Sequence, residues 1–211
     1  MPHDDFTVEP IEGLPETPPA GELILWQGKP NALALARDAL NLYWVAGYFA
    51  LLAFWRVGVS SADMPFAQAL PLGLPFIVLG VLACAVLYGI AYVLARTTMY
   101  TVTTARVAMR VGAALTVTLN LPFPKIGAAH LTTRKDGTGS IVFETMGETR
   151  LSYLVLWPHV RPWRMKKTQP ALRSIPDAAK VAQIVAEAAE TRVSQPEISR
   201  ELPDGAVVAA E

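Results

Sequence analysis

Residues 76–95 read FIVLGVLACAVLYGIAYVLA, twenty consecutive residues without a charged side chain. At about 1.5 Å of rise per residue, a helix of this length covers ~30 Å, the thickness of the hydrocarbon layer of a bilayer. Pro71 and Pro75 stand near its start, where a missing backbone N–H costs little, and Arg96 follows its end. We therefore predict a transmembrane helix over about 72–95.

A second apolar stretch precedes this one, and we predict a transmembrane helix there over about 40–57. The stretch is rich in aromatic residues. Tryptophan is enriched at membrane interfaces, and Trp44 near one end of the stretch and Trp55 near the other suit the two interfaces. Arginine reaches the headgroups from a helix end. The predicted interface anchors are Trp44, Trp55, Arg56 and Arg96. Together the two helices form a membrane hairpin over 39–96. Two buried core helices of a soluble protein are the alternative.

The composition agrees with a membrane protein. Only 17% of the 211 residues are charged, whereas a soluble domain of this length carries about a quarter. The net charge of zero conceals a segregation, because residues 1–28 hold six acids and no base, whereas residues 96–175 hold twelve bases and three acids.

The single cysteine, Cys84, excludes a disulfide framework and a cysteine-based zinc site.

The distribution of basic residues predicts the orientation. Lys and Arg flank the outer ends of the two predicted helices, whereas the connecting loop near 58–70 contains neither. By the positive-inside rule, a multi-pass membrane protein with both termini in the cytoplasm is expected. The acidic, Pro-rich segment 1–38 does not resemble a signal peptide and holds a candidate strand at 22–27.

After the helix pair, the apolar pattern changes from helical to alternating, which indicates short antiparallel strands. We predict a cytoplasmic domain over 97–193, in which Asp136-Gly137 forms a hairpin turn. The number and spacing of the strands predict a small antiparallel barrel or sandwich, capped by an amphipathic helix over 177–192. The tail 194–211 is expected to be disordered. The predicted strands are 99–103, 106–111, 115–120, 129–134, 140–145 and 150–156.

The segment 156–173 is the candidate binding surface of this domain. It is longer than an ordinary connection and contains no acid. Trp and Arg are enriched at interface hot spots, and basic residues beside a membrane attract anionic headgroups. A protein-partner surface, a lipid-headgroup surface and a solvated basic loop all stay open. The candidate interface residues are Trp157, His159, Arg161, Trp163, Arg164, Lys166 and Lys167.

Catalytic and cofactor chemistry find no support in the sequence, and we expect a non-enzyme without a cofactor or a metal. No metal-ligand cluster, phosphate loop or nucleophile triad stands out. His159 is a conceivable pigment ligand, but a loop histidine is more often a surface or hydrogen-bonding residue. Apart from Arg56 at the edge of the first span, the spans carry no Asp, Glu, Lys, Arg or His, which disfavours a transporter or channel. Membrane attachment and acidic flanks disfavour nucleic-acid binding.

Two groups of residues carry a resemblance to known families. The run Tyr100–Val107, the Gly112 turn and Leu121-Pro122, with Glu22–Pro30 as lead-in, resemble bacterial pleckstrin-homology (PH) domains attached to a membrane helix pair. A second group resembles the PuhB family of photosynthetic-complex assembly proteins of purple bacteria. It comprises Met1–Phe6, Ala105–Phe123, Leu151–Leu154 and Trp157–Trp163.

The second resemblance implies a non-enzymatic, multi-pass factor of the bacterial inner (intracytoplasmic) membrane. Such a factor helps to assemble the photosynthetic reaction centre with its light-harvesting 1 ring. Its partners would be reaction-centre and light-harvesting 1 polypeptides and membrane lipids, and the resemblance implies no active site. A general lipid-sensing, membrane-anchored module unrelated to photosynthesis is the alternative, and homodimer formation stays open.

Overall fold

The computed structural model describes residues 11–112, 116–147 and 151–194, in which a helix pair is joined to an α+β domain. The helices are α1 Ala32–Ala39, α2 Leu42–Ser60, α3 Phe66–Ala69, α4 Leu74–Thr97, α5 Tyr153–Leu156 and α6 Ala178–Val193. The strands are β1 Ile24–Gly28, β2 Met99–Thr103, β3 Arg106–Val111, β4 Val117–Pro122, β5 Ile126–Thr133, β6 Gly139–Thr145 and β7 Ala171–Ile175.

The long apolar helices α2 and α4 pack against each other and correspond to the predicted helices over 40–57 and 72–95. Glycine allows the close approach, because a Cβ on Gly80 would lie 2.7 Å from the Cβ of Phe49. Both helices are long and apolar enough to cross a membrane, by length and composition. Most of their large apolar side chains are exposed.

Helix α1 is a feature that the sequence patterns did not indicate, since segment 1–38 was expected to be extended. Asn31 caps this helix by accepting a hydrogen bond from the backbone N–H of Ala34 at 3.0 Å. The buried Leu35 and Ala36 of α1 join Ala91 and Ala95 of α4 in a small apolar cluster. The helix therefore packs beside the end of α4 that leads into the domain.

The strands form two antiparallel sheets, ordered β1-β2-β3-β4 and β5-β6-β7. No strand ladder joins the two sheets in the described residues, so the closed barrel that we predicted as one alternative is wrong. Pro122 and Pro124 give a physical reason, because they lack backbone N–H donors at the place where the chain passes from one sheet to the other. The candidate strand at 22–27 occurs as β1, at the edge of the first sheet.

Both sheets and α6 enclose one apolar core. The predicted helix over 177–192 corresponds to α6, which covers this core. The largest fully buried side chains of the core are Tyr100, Phe123, Phe143, Met109, Ile141 and Leu172. Val181, Val185 and Ala188 of α6 pack against them. The core therefore depends on period-two residues from the strands and period-3.6 residues from the helix.

Two predicted elements after residue 147 are wrong. The stretch 150–156 was predicted as a strand because its apolar residues alternate, but the described part contains the helical turn α5. The segment 156–173 was predicted as a loop throughout, but β7 begins within it at Ala171. Arg173 hid this strand, because a charged residue in a fully buried strand interrupts its apolar pattern. The expected disordered tail and Leu115 lie outside the described residues.

Candidate functional site

The segment 156–173, which we call the basic segment, has an exposed part that protrudes from the domain and is closed at its base. Val160 and Pro170 form an isolated β-bridge, and the Arg161 N–H donates to the carbonyl of Gln169 at 2.9 Å. Residues 162–167, which we call the loop tip, project from this base and are all exposed. The base fixes where the loop tip leaves the domain.

The loop tip presents Trp163 together with basic side chains. Trp163 is 88% exposed, and its backbone has a φ of 63°, a left-handed conformation that is rare for a bulky residue. Arg164, Lys166 and Lys167 are exposed beside it, and Lys167 Nζ lies 3.7 Å from Glu144 Oε1. These four predicted interface residues therefore share one accessible protrusion. Of the others, Trp157 is exposed and Arg161 is half-buried.

His159 does not lie on this surface, and its predicted interface role is wrong. It is only 1% exposed, with Nε2 3.1 Å from Thr98 Oγ1 and Nδ1 2.5 Å from the Tyr100 hydroxyl. Burial, and to a lesser degree the charge of Arg173, lower the pKa of His159 to about 3. The imidazole is therefore neutral at physiological pH, and both ring nitrogens have partners inside the protein.

The hydrogen-bond network also assigns the tautomer of His159. The Thr98 hydroxyl donates to the carbonyl of Leu94 at 2.7 Å, so it accepts from His159 Nε2–H. Nδ1 then accepts from the Tyr100 hydroxyl, which in turn accepts the backbone N–H of Arg173 at 3.2 Å. Because Thr98 is the cap residue of α4, this network ties the basic segment and β7 to the end of that helix.

The four predicted membrane anchors are exposed on α2 and α4. Trp44 lies in the first turn of α2, whereas Trp55 and Arg56 lie about one turn before its end. The two tryptophans are eleven positions apart, which is roughly 16 Å of helix and only about half of the ~30 Å hydrocarbon layer. Arg96 lies at the end of α4, 5.2 Å above the ring centre of Tyr92. The two tryptophans are therefore too close together to mark opposite interfaces. Trp44 at the start of α2 and Arg96 at the end of α4 suit a single interface.

A second polar site, which the sequence did not reveal, lies beside the base of the loop tip. It is a cleft of about 610 Å³ between the outer face of the second sheet, Asp38 and the segment 160–162. Its floor follows the period of two along the outer sheet face: His130 and Thr132 alternate on β5, and Arg134 comes directly after that strand. Ser140 of β6 pairs with Thr132, and Arg173 of β7 completes the lining. We call this the arginine cleft.

Asp38 anchors the ion pairs of the arginine cleft. Its Oδ1 lies 2.6 Å from Arg134 Nη2 and accepts from Arg37 Nε at 3.0 Å, while Oδ2 accepts from Arg134 Nε at 3.1 Å. Arg37 also donates to Asp136 Oδ2 at 2.9 Å. These hydrogen bonds raise the pKa of Arg37 further above its ordinary value. The turn of the β5–β6 hairpin is thereby fastened to the end of α1.

Comparison with known proteins decides the family. The model of the bacterial PH domain matches residues 42–189, a range that includes α2, α4 and the strands β2 to β7, but not β1. The chain belongs to the bacterial PH domain family. This bacterial PH domain protein is also 42% identical, over 99% of both chains, to an uncharacterized 23.7 kDa protein in the puhA 5′ region of Rhodobacter capsulatus. No solved structure matches it.

In this bacterial PH domain protein, the sequence indicated the loop tip but not the arginine cleft. The cleft depends on Asp38, Arg134 and Arg173, which lie far apart in the chain and meet only through α1 packing beside β7. A usable signal existed at one place: the polar alternation of His130, Thr132 and Arg134 before the Asp-Gly turn predicts a polar outer sheet face. Asp38 carries no comparable signal.

Proposed function

We propose that this protein is a PuhB-type, membrane-bound assembly factor that serves as a scaffold for the photosynthetic reaction centre and its light-harvesting 1 complex. The observation that carries the proposal is the contrast between two parts of one chain. The PH domain buries its apolar residues in a core, whereas α2 and α4 leave theirs exposed. A surface of this kind needs lipid or other apolar helices around it.

The membrane arrangement that we propose has two spans and both termini in the cytoplasm. Buried core helices of a soluble protein would have their apolar windows mostly covered, but only 6% and 11% of the two windows is buried. The predicted anchors Trp44 and Arg96 lie at the ends that lead to α1 and to the domain. The inner, intracytoplasmic membrane is the proposed location.

The link to photosynthesis rests on the relative. Its name places it in the puhA 5′ region, and its similarity covers 99% of both chains, so the helix pair and the domain are shared together. This similarity agrees with the resemblance to photosynthetic-complex assembly proteins. Assembly is proposed as the shared role, with reaction-centre and light-harvesting 1 polypeptides as partners.

The proposed mechanism is scaffolding without chemistry. The exposed faces of α2 and α4 would pack beside newly inserted helices of the partner subunits, and the loop tip would contact their cytoplasmic faces. Exposed Trp and Arg side chains on a fixed protrusion are the residue types that dominate protein interfaces. Holding a subunit until the next one docks requires neither an active site nor a cofactor, and we propose none.

The test is recovery of partners from photosynthetic membranes. A tagged full-length chain in which Trp163, Arg164, Lys166 and Lys167 are all changed to serine should recover less reaction-centre and light-harvesting 1 polypeptide after detergent solubilisation. Residues 157–160 must stay, because the buried His159 hydrogen-bonds to Thr98 and Tyr100 inside the domain. A matched control changes the exposed Lys135 and Lys180, which lie elsewhere on the domain. Equal recovery by both variants would contradict the role of the loop tip.

A lipid-sensing module unrelated to photosynthesis is the second candidate, favoured by the basic charge of the loop tip. It predicts that the unmodified chain recovers no photosynthetic polypeptide in the same experiment. It also predicts salt-sensitive copurification with anionic lipid, since exposed charges are screened by salt.

A further inference from the structure

We propose that the arginine cleft is an anion site that binds one phosphate group, with Arg161 and Arg173 as its principal ligands. The site lies beside the loop tip and shares only Pro162 with it, and its existence does not rest on the proposed assembly function. Four observations carry the proposal: the shape of the cleft, its charge, the burial of Arg173, and its position relative to α2.

The shape suits a small polar ligand. A volume of about 610 Å³ lies within the range of ligand pockets in proteins. The floor is the outer face of a hydrogen-bonded three-stranded sheet, which holds the lining side chains in register. Thr132 and Ser140 supply hydroxyl groups beside the arginines, so neutral donors and cations line the same space.

The charge of the lining is positive. Three arginines, Arg134, Arg161 and Arg173, face one carboxylate, that of Asp38, so two positive charges remain (3 − 1). Asp38 is already engaged by Arg134 and by Arg37, which lies outside the cleft. The other two guanidinium groups have neutral partners: Arg161 Nη1 donates to Gln169 Oε1 at 3.2 Å. Arg173 donates to three backbone carbonyls, those of Asp38, Pro158 and Val160.

Arg173 makes this imbalance significant because it is 8% exposed. A buried charge is costly unless an opposite charge compensates it. Burial lowers the pKa of Arg173, and the charge of Asp38, which is shared with Arg134 and Arg37, opposes this shift only in part. The surrounding carbonyl dipoles stabilise the guanidinium only in part. A phosphate in the cleft would provide the missing counter-charge and would accept charge-assisted hydrogen bonds from Arg173 and Arg161.

The position of the cleft indicates where such a phosphate could come from. Asp38 precedes Leu42, the first residue of α2, by four residues, so their Cα atoms are at most about 14 Å apart. If α2 spans the membrane, the arginine cleft lies near the headgroup layer, where lipid phosphates are concentrated. A lipid headgroup and free inorganic phosphate share the required chemistry, and the experiment separates them.

The experiment is native mass spectrometry of the full-length chain released from detergent micelles, with added phosphatidylglycerol as the probe. The expected result is one phosphatidylglycerol bound more tightly than any further one. Changing Arg161 to Gln keeps a hydrogen-bonding side chain at the half-buried position and should weaken this binding about tenfold. The matched control Arg164→Gln removes the same charge from the loop tip and should stay within about twofold.

The outcomes are distinct. Loss of the lipid adduct on addition of millimolar inorganic phosphate would support the site and identify free phosphate as its occupant, whereas resistance would support the lipid. Equal weakening by Arg161→Gln and Arg164→Gln, or no binding of either probe, would overturn the proposal. A second variant, Arg173→Lys, should also weaken binding, and its thermal unfolding shows whether the domain remains folded. None of these results depends on photosynthetic partners, so the assembly function is tested separately.

Discussion

At the scale of single residues, His159 shows why a basic, aromatic segment cannot be assigned to the surface as a whole. Pro158 and Val160 on either side of it are buried too, whereas the neighbouring Trp157 is exposed. The sequence offers no clue to this, because the partners of His159, Thr98 and Tyr100, are about sixty residues away. A residue that looked like a ligand of something external instead links β2, β7 and the end of α4.

The first prediction concerns the pH dependence that follows from this burial. His159 has a pKa of about 3 in the folded protein, below its ordinary value of 6.5. Between these values the unfolded chain binds the proton and the folded chain does not, so stability is full above pH 6.5 and falls as the pH is lowered toward 3. The loss should approach about 1.4 kcal/mol per pH unit. Thermal unfolding in detergent between pH 4 and pH 7 measures it.

His159→Gln is the control for this prediction. Glutamine offers an NH2 donor group and a carbonyl acceptor but does not titrate in this range, so the variant should be less stable at neutral pH and should show a flatter pH profile. If the variant kept the same pH slope as the unmodified chain, other groups would be responsible for it.

At the scale of elements, the sequence predicted what depends on periodicity and missed what depends on contact. The helices α2, α4 and α6 and the strands β2, β3 and β6 have clear apolar patterns, and each occurs within a few residues of its predicted range. Helix α1 is short and alanine-rich, so its pattern is weak until it packs on α4. The docking of β1 on β2 likewise became visible only in the structure, where Glu22 pairs with Arg106 at 2.9 Å.

The second prediction concerns the contact between α2 and α4. Gly80→Val would force a side chain against Phe49, because the new Cβ would lie only 2.7 Å from the Cβ of Phe49. Such overpacking costs about 1–3 kcal/mol. Gly89→Val is the matched control, because it places the same residue in the same helix where nothing lies within 4 Å. Thermal unfolding in detergent should show a lower midpoint for Gly80→Val alone, and equal midpoints for the two variants would contradict this helix packing.

At the scale of the whole molecule, the exposed apolar helices, the loop tip and the arginine cleft have related positions. The cleft is closed by Asp38 at the end of α1, directly before α2, and the base of the loop tip is tied through His159 to the cap of α4. The arginine cleft and the loop tip are therefore both attached at the junction between the helix pair and the domain. In the proposed arrangement, this junction faces the cytoplasmic leaflet, where basic residues are favoured.

The last prediction tests that arrangement by cysteine labelling. Cys84→Ala provides a background without the single native cysteine. Ala62→Cys lies in the exposed connection after α2. It should react with a membrane-impermeant maleimide added to cells whose outer membrane has been permeabilised and whose inner membrane is closed. Lys135→Cys, in the exposed hairpin turn of the domain, should react only after the inner membrane is opened. Labelling of Lys135→Cys in intact cells would place the domain on the periplasmic side, and the positions proposed for the loop tip and the arginine cleft would then be wrong.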